Sequence, residues 1–342
     1  MKVLVTGGCG FLGSHVCEHF KKMGDEVVAF DSLTKHELVR TGFAVDGARL
    51  YNWDLLKQMG VSLVRGDIRE KDALTNAANE CDYIIHTAAQ PAMTISVENP
   101  DLDLTTNVVG TFNVLELARR LDIPVAVCST IHVYGNQMNE TLSEQTTRFV
   151  RDPASIDENH PVLQGKVTPL HASKRSAEIY VKAFTDTYGL NASVFRLTGM
   201  YGPRQFGGED HGWVANFAIR TVLGLPIRVF GTGKQVRDIL YVTDAAAAFE
   251  AYFRNQKPGV YNIGGGIGNS ISLSECLGLL SSISGRKQKI ERLERRDMDL
   301  WYFVCDITKA KTSLSWEPKI SREKGLRKMM SWIEQNVGLL RG

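Results

Sequence analysis

The chain has 342 residues, of which 43% are hydrophobic and 23% charged, a composition typical of a globular protein with one large or two medium domains. Its formal net charge of +2 includes no basic block, so we expect no nucleic-acid partner and no membrane surface as partner. The chain begins directly with a strand, and no apolar run approaches the roughly 18 residues of a membrane span, which predicts a cytoplasmic location. The six cysteines are scattered and indicate buried free thiols in a reducing setting, and we assign no metal ligand.

The first candidate site is a glycine-rich turn within residues 3–14, where an apolar strand runs into an amphipathic helix. Gly7 permits the tight turn, Gly10 lets the backbone approach a pyrophosphate, and Gly13 lets the helix pack closely on the strand. The N–H groups and the positive end of the helix would hold the phosphates. We therefore assign Gly7, Gly10, Phe11, Leu12 and Gly13 to a dinucleotide, although a plain βαβ turn without a ligand would look the same.

Two acids follow the next two strands of the chain. Asp31 ends a second apolar strand, about 20 residues after the glycine turn, as dinucleotide-binding sequences require. Its carboxylate can accept both hydroxyls of the adenosine ribose and would repel a 2′-phosphate, which favours NAD over NADP. Asp67, followed by Ile68, comes just after a third strand, where it would reach the adenine amino group or cap a helix.

Strands and helices then alternate, which predicts an α/β fold with a Rossmann-type, doubly wound and mostly parallel sheet. Asn107 begins a helix between the fourth and fifth strands. Small, amide or hydroxyl side chains follow these two strands, at Ala88, Ala89, Gln90, Ser129 and Thr130. Because open α/β sheets bind ligands at the carboxyl ends of their strands, these residues predict where a dinucleotide lies.

The alternation breaks after a sixth strand at residues 194–197, which predicts a smaller, discontinuous C-terminal domain for a substrate. The predicted dinucleotide-binding domain comprises residues 1–195, with 234–265 returning to its sheet, and the second domain comprises 196–233 and 266–342. Amphipathic helices are expected in the second domain at 272–284 and 321–336. The polar loop at 135–169 is of a length that is usually functional or mobile.

The order of these motifs resembles the extended short-chain dehydrogenase/reductase superfamily, the nucleotide-sugar epimerases and dehydratases. The glycine turn, Asp31, Asp67 and Asn107 are joined in that order by Tyr134-Gly135, Ser173-Lys174, Tyr201-Gly202-Pro203-Arg204, Arg237-Asp238 and Asn262-Ile263-Gly264. The resemblance covers nearly the whole chain. Within the superfamily, residues 92–96, 200–206, 211–214 and 233–238 are most similar to the CDP-tyvelose (CDP-paratose) 2-epimerases.

The resemblance implies a reaction in which NAD is bound tightly and recycled. Hydride leaves a sugar carbon, the keto-sugar turns in the pocket, and hydride returns to the opposite face; for the 2-epimerases the carbon is C2. The implied substrate is a nucleotide-diphosphate sugar, with a CDP-sugar favoured and a GDP- or UDP-sugar possible. By analogy the chain forms a homodimer through the helix that carries Lys174 and the helix before it.

Further site residues follow from the same resemblance. Arg237, Arg296 and Asp299 match positions that grip the pyrophosphate and the nucleoside ribose, although surface ion pairs would read the same. The other positions assigned to substrate are Met93, Thr130, Met200, Arg204, Gln205, Trp213 and Gln235, and the apolar ones among them would also suit simple core packing. Trp301 stands where the tyvelose epimerases tend to carry another Arg.

One departure from the superfamily pattern concerns the catalytic base. The chemistry there normally runs on Tyr-x-x-x-Lys, in which the Lys holds the nicotinamide ribose and lowers the pKa of the Tyr. Here Lys174 and the partner hydroxyl of Thr130 are retained, but the Tyr position is Leu170, which carries no proton. Dehydratases and decarboxylases place an acid beside this Thr, where this chain has Ile131 and His132, which argues against dehydration.

Several explanations for Leu170 stand side by side. His132 or His171 would replace the Tyr as base, since an imidazole titrates near neutral pH, or the loop at 135–169 would deliver His160. Alternatively, the protein is an oxidoreductase or decarboxylase-like enzyme using His132. Leu170 would also fit a protein that binds NAD and a sugar nucleotide without catalysis. It could equally be an introduced substitution.

Overall fold

The computed structural model describes residues 1–34, 38, 41 and 48–341. Its centre is a parallel sheet of seven strands, which are β1 Lys2–Thr6, β2 Glu26–Asp31, β3 Ser62–Arg65, β4 Tyr83–His86, β5 Val125–Thr130, β8 Ala192–Leu197 and β12 Gly259–Ile263. They lie in the order β12-β8-β5-β4-β1-β2-β3. The predicted doubly wound parallel sheet is therefore confirmed.

Helices cover both faces of the sheet, which explains why its central strands are near-continuous apolar runs. One face packs against α1 Phe11–Lys22, α9 Val242–Asn255 and α11 Thr308–Leu314. The other packs against α3 Lys71–Ala77, α6 Thr111–Leu121 and α7 Pro169–Tyr188. Between β1 and β4 the strand order reverses, and a crevice forms there at the carboxyl ends of the strands.

A second unit is built from separate pieces of the chain. Its strands are β9 Gly199–Tyr201, β10 Ile227–Phe230, β11 Val236–Tyr241, β13 Ser270–Ser272, β14 Ile290–Leu293 and β15 Tyr302–Phe303. Its helices are α8 Trp213–Leu223, α10 Leu273–Ser284 and α12 Arg322–Gln335, which share one apolar core. Ser272 and Ser321 cap α10 and α12 through their hydroxyls.

One strand assignment from the sequence is wrong. The sequence predicts that residues 234–265 return to the large sheet, but of the two strands in this segment only β12 does so. Strand β11 pairs instead with β9, β13 and β15, and the helix after it, α9, packs on α1. A strand's apolar pattern identifies a buried strand but not its partner, so this pairing could not be read from the sequence.

The remaining elements lie around the crevice and in the long loop. They are α2 Ala48–Gln58, α4 Met93–Glu98, α5 Pro100–Leu104, a π-helical turn at Thr105–Gly110, 3₁₀ turns at Ile131–Tyr134, Gln137–Thr141, Ile267–Asn269 and Val337–Leu340, and the strands β6 Ser143–Glu144 and β7 Phe149–Val150. All six cysteines are buried, and none of them forms a disulfide. Within the described ranges, no helix combines the length and the apolar character needed to cross a membrane.

Candidate functional site

A cavity of about 870 Å³ opens at the carboxyl ends of the large sheet and is lined by both units of the fold. Its lining runs from the glycine turn, past the ends of β4 and β5, to the loop before α8 and to Arg296. The predicted residues that line it are Gly7, Gly10, Phe11, Leu12, Gly13, Asp31, Asp67, Ile68, Ala88, Ala89, Gln90, Met93, Thr130, His132, Lys174, Met200, Arg204, Gln205, Trp213, Gln235, Arg237, Arg296 and Asp299. Topology has thus brought distant motifs into one place, whereas Asn107 and His171 lie outside the lining.

The glycine turn has the shape that a dinucleotide requires. Gly7 has φ +68°, and a Cβ there would stand 2.7 Å from the backbone of Ala88. No side chain caps the first turn of α1 at Gly10, so that helix end presents its N–H groups and positive dipole to the cavity. These features fit a bound pyrophosphate.

Asp31 is held in place by the backbone of two neighbouring segments. Its Oδ2 accepts the N–H of Cys9 at 2.9 Å, and its Oδ1 accepts the N–H of Leu33 at 2.7 Å. The carboxylate is thereby fixed beside the glycine turn at the rim of the cavity. An acceptor of this kind suits the ribose hydroxyls of NAD.

Asp67 forms a local ion pair. Both of its oxygens accept hydrogen bonds from the Arg69 guanidinium, at 3.0 and 2.6 Å, and this pairing lowers the pKa of the carboxyl. It does not cap α3, whose N-cap is Glu70. Its role toward adenine stays a prediction.

Asn107 and Gln90 form a buried network under the crevice. The backbone N–H of Gln90 donates to Asn107 Oδ1 at 2.9 Å, and Asn107 Nδ2 donates to Gln90 O, Asp103 Oδ1 and Ser173 Oγ at 3.0–3.2 Å. Burial raises the pKa of Asp103. Asn107 therefore supports the cavity wall from behind. No sequence motif indicated that the Asp103 carboxylate would take part in this network.

Sequence reasoning also missed polar groups in the lining itself. Asn52 of α2 donates to the carbonyl of Cys9 at 3.0 Å, which leaves its Oδ1 buried without a hydrogen-bond partner. Thr94 Oγ1 is buried and unpartnered as well. Both line the cavity, and both offer hydrogen bonds to a ligand. No motif surrounds Asn52, whereas Thr94 stands in the segment 92–96 that carries the family resemblance and could have been found there.

Lys174 and Leu170 lie one helical turn apart on α7, and both line the cavity. Lys174 Nζ donates to the carbonyl of Cys128 at 3.0 Å, and burial lowers the pKa of the ammonium. Leu170 is 3% exposed, and its backbone N–H donates to Ser96 Oγ at 3.2 Å. The position expected for a tyrosine thus presents only an aliphatic surface.

The candidate bases differ in their access to the cavity. His132 lines it beside Thr130, whose Oγ1 accepts the backbone N–H of His132 at 3.2 Å. His171 is buried behind, where its Nδ1 accepts hydrogen bonds from the N–H and hydroxyl of Thr168 at 3.0 and 2.7 Å. Burial lowers the pKa of His132 to about 3 and of His171 to about 4. His160 packs on the ring of Tyr134 and is not part of the lining.

Two glutamines at the substrate end have buried side-chain oxygens without a hydrogen-bond partner. Gln205 Nε2 donates to Met200 O at 3.1 Å, and Gln235 Nε2 donates to Phe230 O at 2.6 Å. In each case the amide orientation leaves a buried Oε1 without a partner. Because an unpaired buried acceptor is costly, these atoms are suited to ligand hydroxyl or amino groups.

The basic groups of the substrate end are paired with acids in the ligand-free protein. Arg237 Nη2 lies 3.3 Å from Asp299 Oδ1, and Arg296 lies 3.5 Å from Asp210 and over the ring of Phe230. The Arg237 side chain is only 12% exposed, so it is a largely buried cation rather than a surface charge, and this burial lowers its pKa.

Further charged side chains surround this end of the cavity. Arg204, assigned to substrate from the sequence, has φ +66° and pairs with Glu18 at 2.7 Å. Arg228 and Glu209, which the sequence did not reveal, also line the cavity and lie 3.5 Å apart. Trp301 stacks on Phe149 with ring centroids 5.5 Å apart and is not part of the lining.

Comparisons with known proteins identify the family of this chain. The model of the NAD dependent epimerase/dehydratase family matches residues 3–264. The CDP-paratose 2-epimerase of Salmonella typhi is 35% identical over 347 residues, covering 97% of this chain and 99% of that protein. The UDP-glucose 4-epimerase of Thermus thermophilus in complex with NAD is 29% identical with a TM-score of 0.79, covering 98% of this chain and 100% of that one.

A second solved relative carries both ligand types. The UDP-glucuronic acid 4-epimerase of Bacillus cereus, in complex with UDP-glucuronic acid and NAD, is 25% identical with a TM-score of 0.82, and the match covers 98% of this chain and 99% of that one. The cofactor predicted from the glycine turn and Asp31 is thereby confirmed as NAD. Because the family model matches most of the chain and the fold has the expected parallel sheet and glycine turn, this chain belongs to the NAD dependent epimerase/dehydratase family.

Proposed function

We propose that this protein is an NAD-dependent epimerase that oxidises C2 of a nucleotide-diphosphate sugar transiently and reduces it again from the opposite face. The observation that carries the proposal is a cavity in which the dinucleotide turn, Lys174 and Thr130 meet without a carboxylate beside Thr130. An acid at that place would serve the proton transfers of dehydration or decarboxylation. Here Ile131 and His132 follow Thr130 instead, which favours simple removal and return of hydride.

NAD, when bound, supplies the hydride acceptor, and the residues of this chain hold and orient it. The N-terminal end of α1 binds the pyrophosphate, Asp31 accepts the ribose hydroxyls, and Lys174 donates to the nicotinamide ribose. Thr130 Oγ1 already accepts the N–H of His132, so its hydroxyl proton is directed to a substrate oxygen. Because the reduced cofactor is needed for the second half-reaction, we infer that NAD stays bound between turnovers.

The substrate we infer is a CDP-sugar. Support comes from the relative named CDP-paratose 2-epimerase and from the groups at the far end of the cavity. Arg237 and Arg296 pair with the diphosphate, and Asp299 accepts from the nucleoside ribose. The unmet acceptors of Gln205 and Gln235 suit hydroxyl or amino donors of the ligand. Met93, Met200 and Trp213 provide an apolar surface for the sugar.

We also infer a homodimer through α7 and the helices before it. Large apolar side chains stay exposed there, with Val109 at 45%, Ile179 at 55% and Tyr188 at 57% of their surface. Covering such a patch with a second copy removes apolar area from water. Sedimentation equilibrium tests this: a monomer at micromolar concentration contradicts it, and Ile179→Lys should weaken the dimer.

The function is tested by incubating the NAD-loaded protein with CDP-, GDP- and UDP-sugars in D₂O and following the sugars by NMR. A second sugar without deuterium at the inverted carbon supports hydride removal and return. Deuterium beside a carbonyl indicates enolisation and points to the dehydratase or decarboxylase branch. If no sugar changes while NAD stays bound, the protein is a binder and the proposal fails.

A further inference from the structure

The replaced tyrosine leaves open which group takes the proton of the sugar hydroxyl. Around Thr130 the cavity lining contains three titratable side chains, which are Cys128, His132 and Lys174. Burial raises the pKa of Cys128 to about 12, so its thiol keeps its proton. Lys174 donates to the carbonyl of Cys128, and as an ammonium it has no lone pair with which to accept a proton. His132 is the group left with a nitrogen lone pair to offer.

The ring nitrogens of the other buried histidines form hydrogen bonds within the protein. His15 Nε2 contacts the carbonyl of Pro203 at 2.9 Å, and His86 lies between the hydroxyls of Thr6 and Thr111 at 2.7 and 3.0 Å. His171 accepts two hydrogen bonds from Thr168 on Nδ1. The described residues offer His132 a ring contact with His171, at 5.8 Å between centroids, but no ring hydrogen bond. Its imidazole is thus available to a ligand.

His171 has a defined tautomer that bears on its neighbour. Because the Thr168 N–H donates to Nδ1, the neutral His171 ring carries its proton on Nε2. The rings of His132 and His171 meet edge to face at 78°. His171 therefore serves to hold the ring of His132 in place and is excluded as the base by its position outside the cavity.

The charged surroundings of His132 depend on the substrate end of the cavity. Burial is the main cause that lowers the pKa of its imidazole, and the charges of His171 on α7 and Arg237 on β11 add to that effect. The counter-ion of Arg237 is Asp299, at 3.3 Å. A diphosphate that pairs with Arg237 brings about two negative charges to the same place. It therefore offsets the contribution of Arg237 and favours the protonated form of His132.

We propose, resting on the epimerase function above, that His132 is the proton acceptor of the reaction and that a substrate diphosphate paired with Arg237 makes it basic enough for this role. In the first half-reaction the sugar O–H bond would break and an N–H bond would form on His132, while the carbon would lose its hydrogen with the bonding pair as hydride and become a carbonyl; bound NAD would supply the hydride acceptor. In the second half-reaction hydride returns to the carbonyl carbon and the His132 proton returns to the oxygen. Cofactor and enzyme end unchanged, so the step needs no other oxidant.

The coupling is tested without turnover, by NMR of ¹⁵N-histidine-labelled, NAD-loaded protein titrated from pH 5 to 8. His132, assigned by loss of its signal in His132→Gln, should stay neutral throughout in the free protein. Saturating CDP, which has no sugar to react, should move its titration midpoint up into this pH range. In Arg237→Gln the midpoint should already be raised before CDP is added, and CDP should move it less. An unchanged midpoint with CDP overturns the coupling.

The proton transfer is tested with the sugar that the wild-type protein epimerises. His132→Gln should lower kcat by roughly 10²–10⁴-fold while NAD and CDP binding are kept. His19→Gln, on the outer part of α1 and paired with Glu250, is the matched control with unchanged kcat. Leu170→Tyr, which puts a phenol one turn before Lys174, should restore part of the activity of His132→Gln.

Full activity of His132→Gln overturns His132 as acceptor even when CDP shifts its titration. If the wild-type protein converts no sugar, the proposed function falls and the proton transfer with it. The CDP-induced shift still decides whether Arg237 and His132 are coupled, so the two failures are distinguishable.

Discussion

Gly13 of helix α1 lies directly against the carbonyl oxygen of Gly7, so that a Cβ on Gly13 would stand 2.1 Å from that oxygen. Gly13→Ala must therefore push the helix away from the turn that holds the pyrophosphate. We expect a loss of about 1–3 kcal/mol in the free energy of unfolding and a large drop in bound NAD. Urea unfolding and the NAD content of the purified protein measure the two effects.

The control for that substitution is another helical glycine. A Cβ on Gly278 of α10 would meet no atom within 4 Å, and the residue is exposed. Gly278→Ala should stabilise the protein by about 0.4–1 kcal/mol, because alanine is the better helix former. Equal losses in both variants would show that the contact of Gly13 with Gly7 is not the cause.

Asp31 is expected to determine both the affinity for NAD and the preference for NAD over NADP. Asp31→Asn removes the charge that accepts ribose hydroxyls, and hydrogen bonds to charged groups contribute about 1.5–3 kcal/mol. The NAD dissociation constant of stripped protein should rise about 10–100-fold, and NADP should be rejected less strongly. Titration calorimetry with both cofactors measures this. Asp25→Asn, which changes a pair with the chain's amino terminus, should leave both constants unchanged.

The buried pair of Arg196 and Glu178 is expected to support the floor of the cavity. Two hydrogen bonds join them at 2.9 and 2.8 Å, and the hydroxyl of Ser129 donates to Glu178 at 2.6 Å. Arg196→Met removes one of the two guanidinium partners of the buried carboxylate, which keeps Arg175 at 2.8 Å, and should cost up to about 3 kcal/mol in urea unfolding. Adding Glu178→Leu should recover part of that loss.

A surface pair of the same type provides the comparison. Arg119 and Glu116 contact each other at 2.6 Å on α6, with 38% and 25% of their side chains exposed. Arg119→Met should cost no more than about 1 kcal/mol, since water screens such pairs. A cost for Arg196→Met in that same small range would contradict the role assigned to the buried pair.

Stability should fall with acid because several histidines are buried in the neutral form. Burial lowers the pKa of His15, His86 and His132 to about 3 and of His171 to about 4. Unfolded imidazoles titrate near the ordinary pKa of about 6.5, so below that pH the unfolded chain binds more protons than the folded one. The free energy of unfolding should therefore be constant above about pH 7 and decrease from about pH 6.5 to 5.

Urea unfolding of the ligand-free protein at pH 7.5, 6 and 5 measures this dependence. Each such histidine contributes a slope of up to about 1.4 kcal/mol per pH unit. His86→Gln should flatten the slope by about that amount, whatever its effect on stability at pH 7.5. A flat profile in the wild-type protein would show that these imidazoles do not stay neutral when buried.

Much of the cofactor half could be predicted from local sequence. Gly7, Gly10 and Gly13 follow one strand, and Asp31 ends the next, so spacing along the chain carries the geometry of the turn. Leu170, at the position where the resemblance implies a tyrosine, could be recognised for the same reason, because it stands one helical turn from Lys174. Local periodicity likewise predicted α10 and α12.

What lies beyond local spacing was decided by tertiary contacts. The partners of β11, the orphaned acceptors of Gln205 and Gln235, and the placement of Asn107 behind the wall depend on residues far away in the chain. The sequence offered His132 and His171 equally as bases. Only the fold separates them, because the start of α7 turns His171 onto Thr168 while the end of β5 opens His132 to the cavity. The sequence by itself thus determined the chemistry that depends on residue type and local spacing. The access of a side chain to the cavity, its burial and the pairing of strands arise only when distant segments pack together.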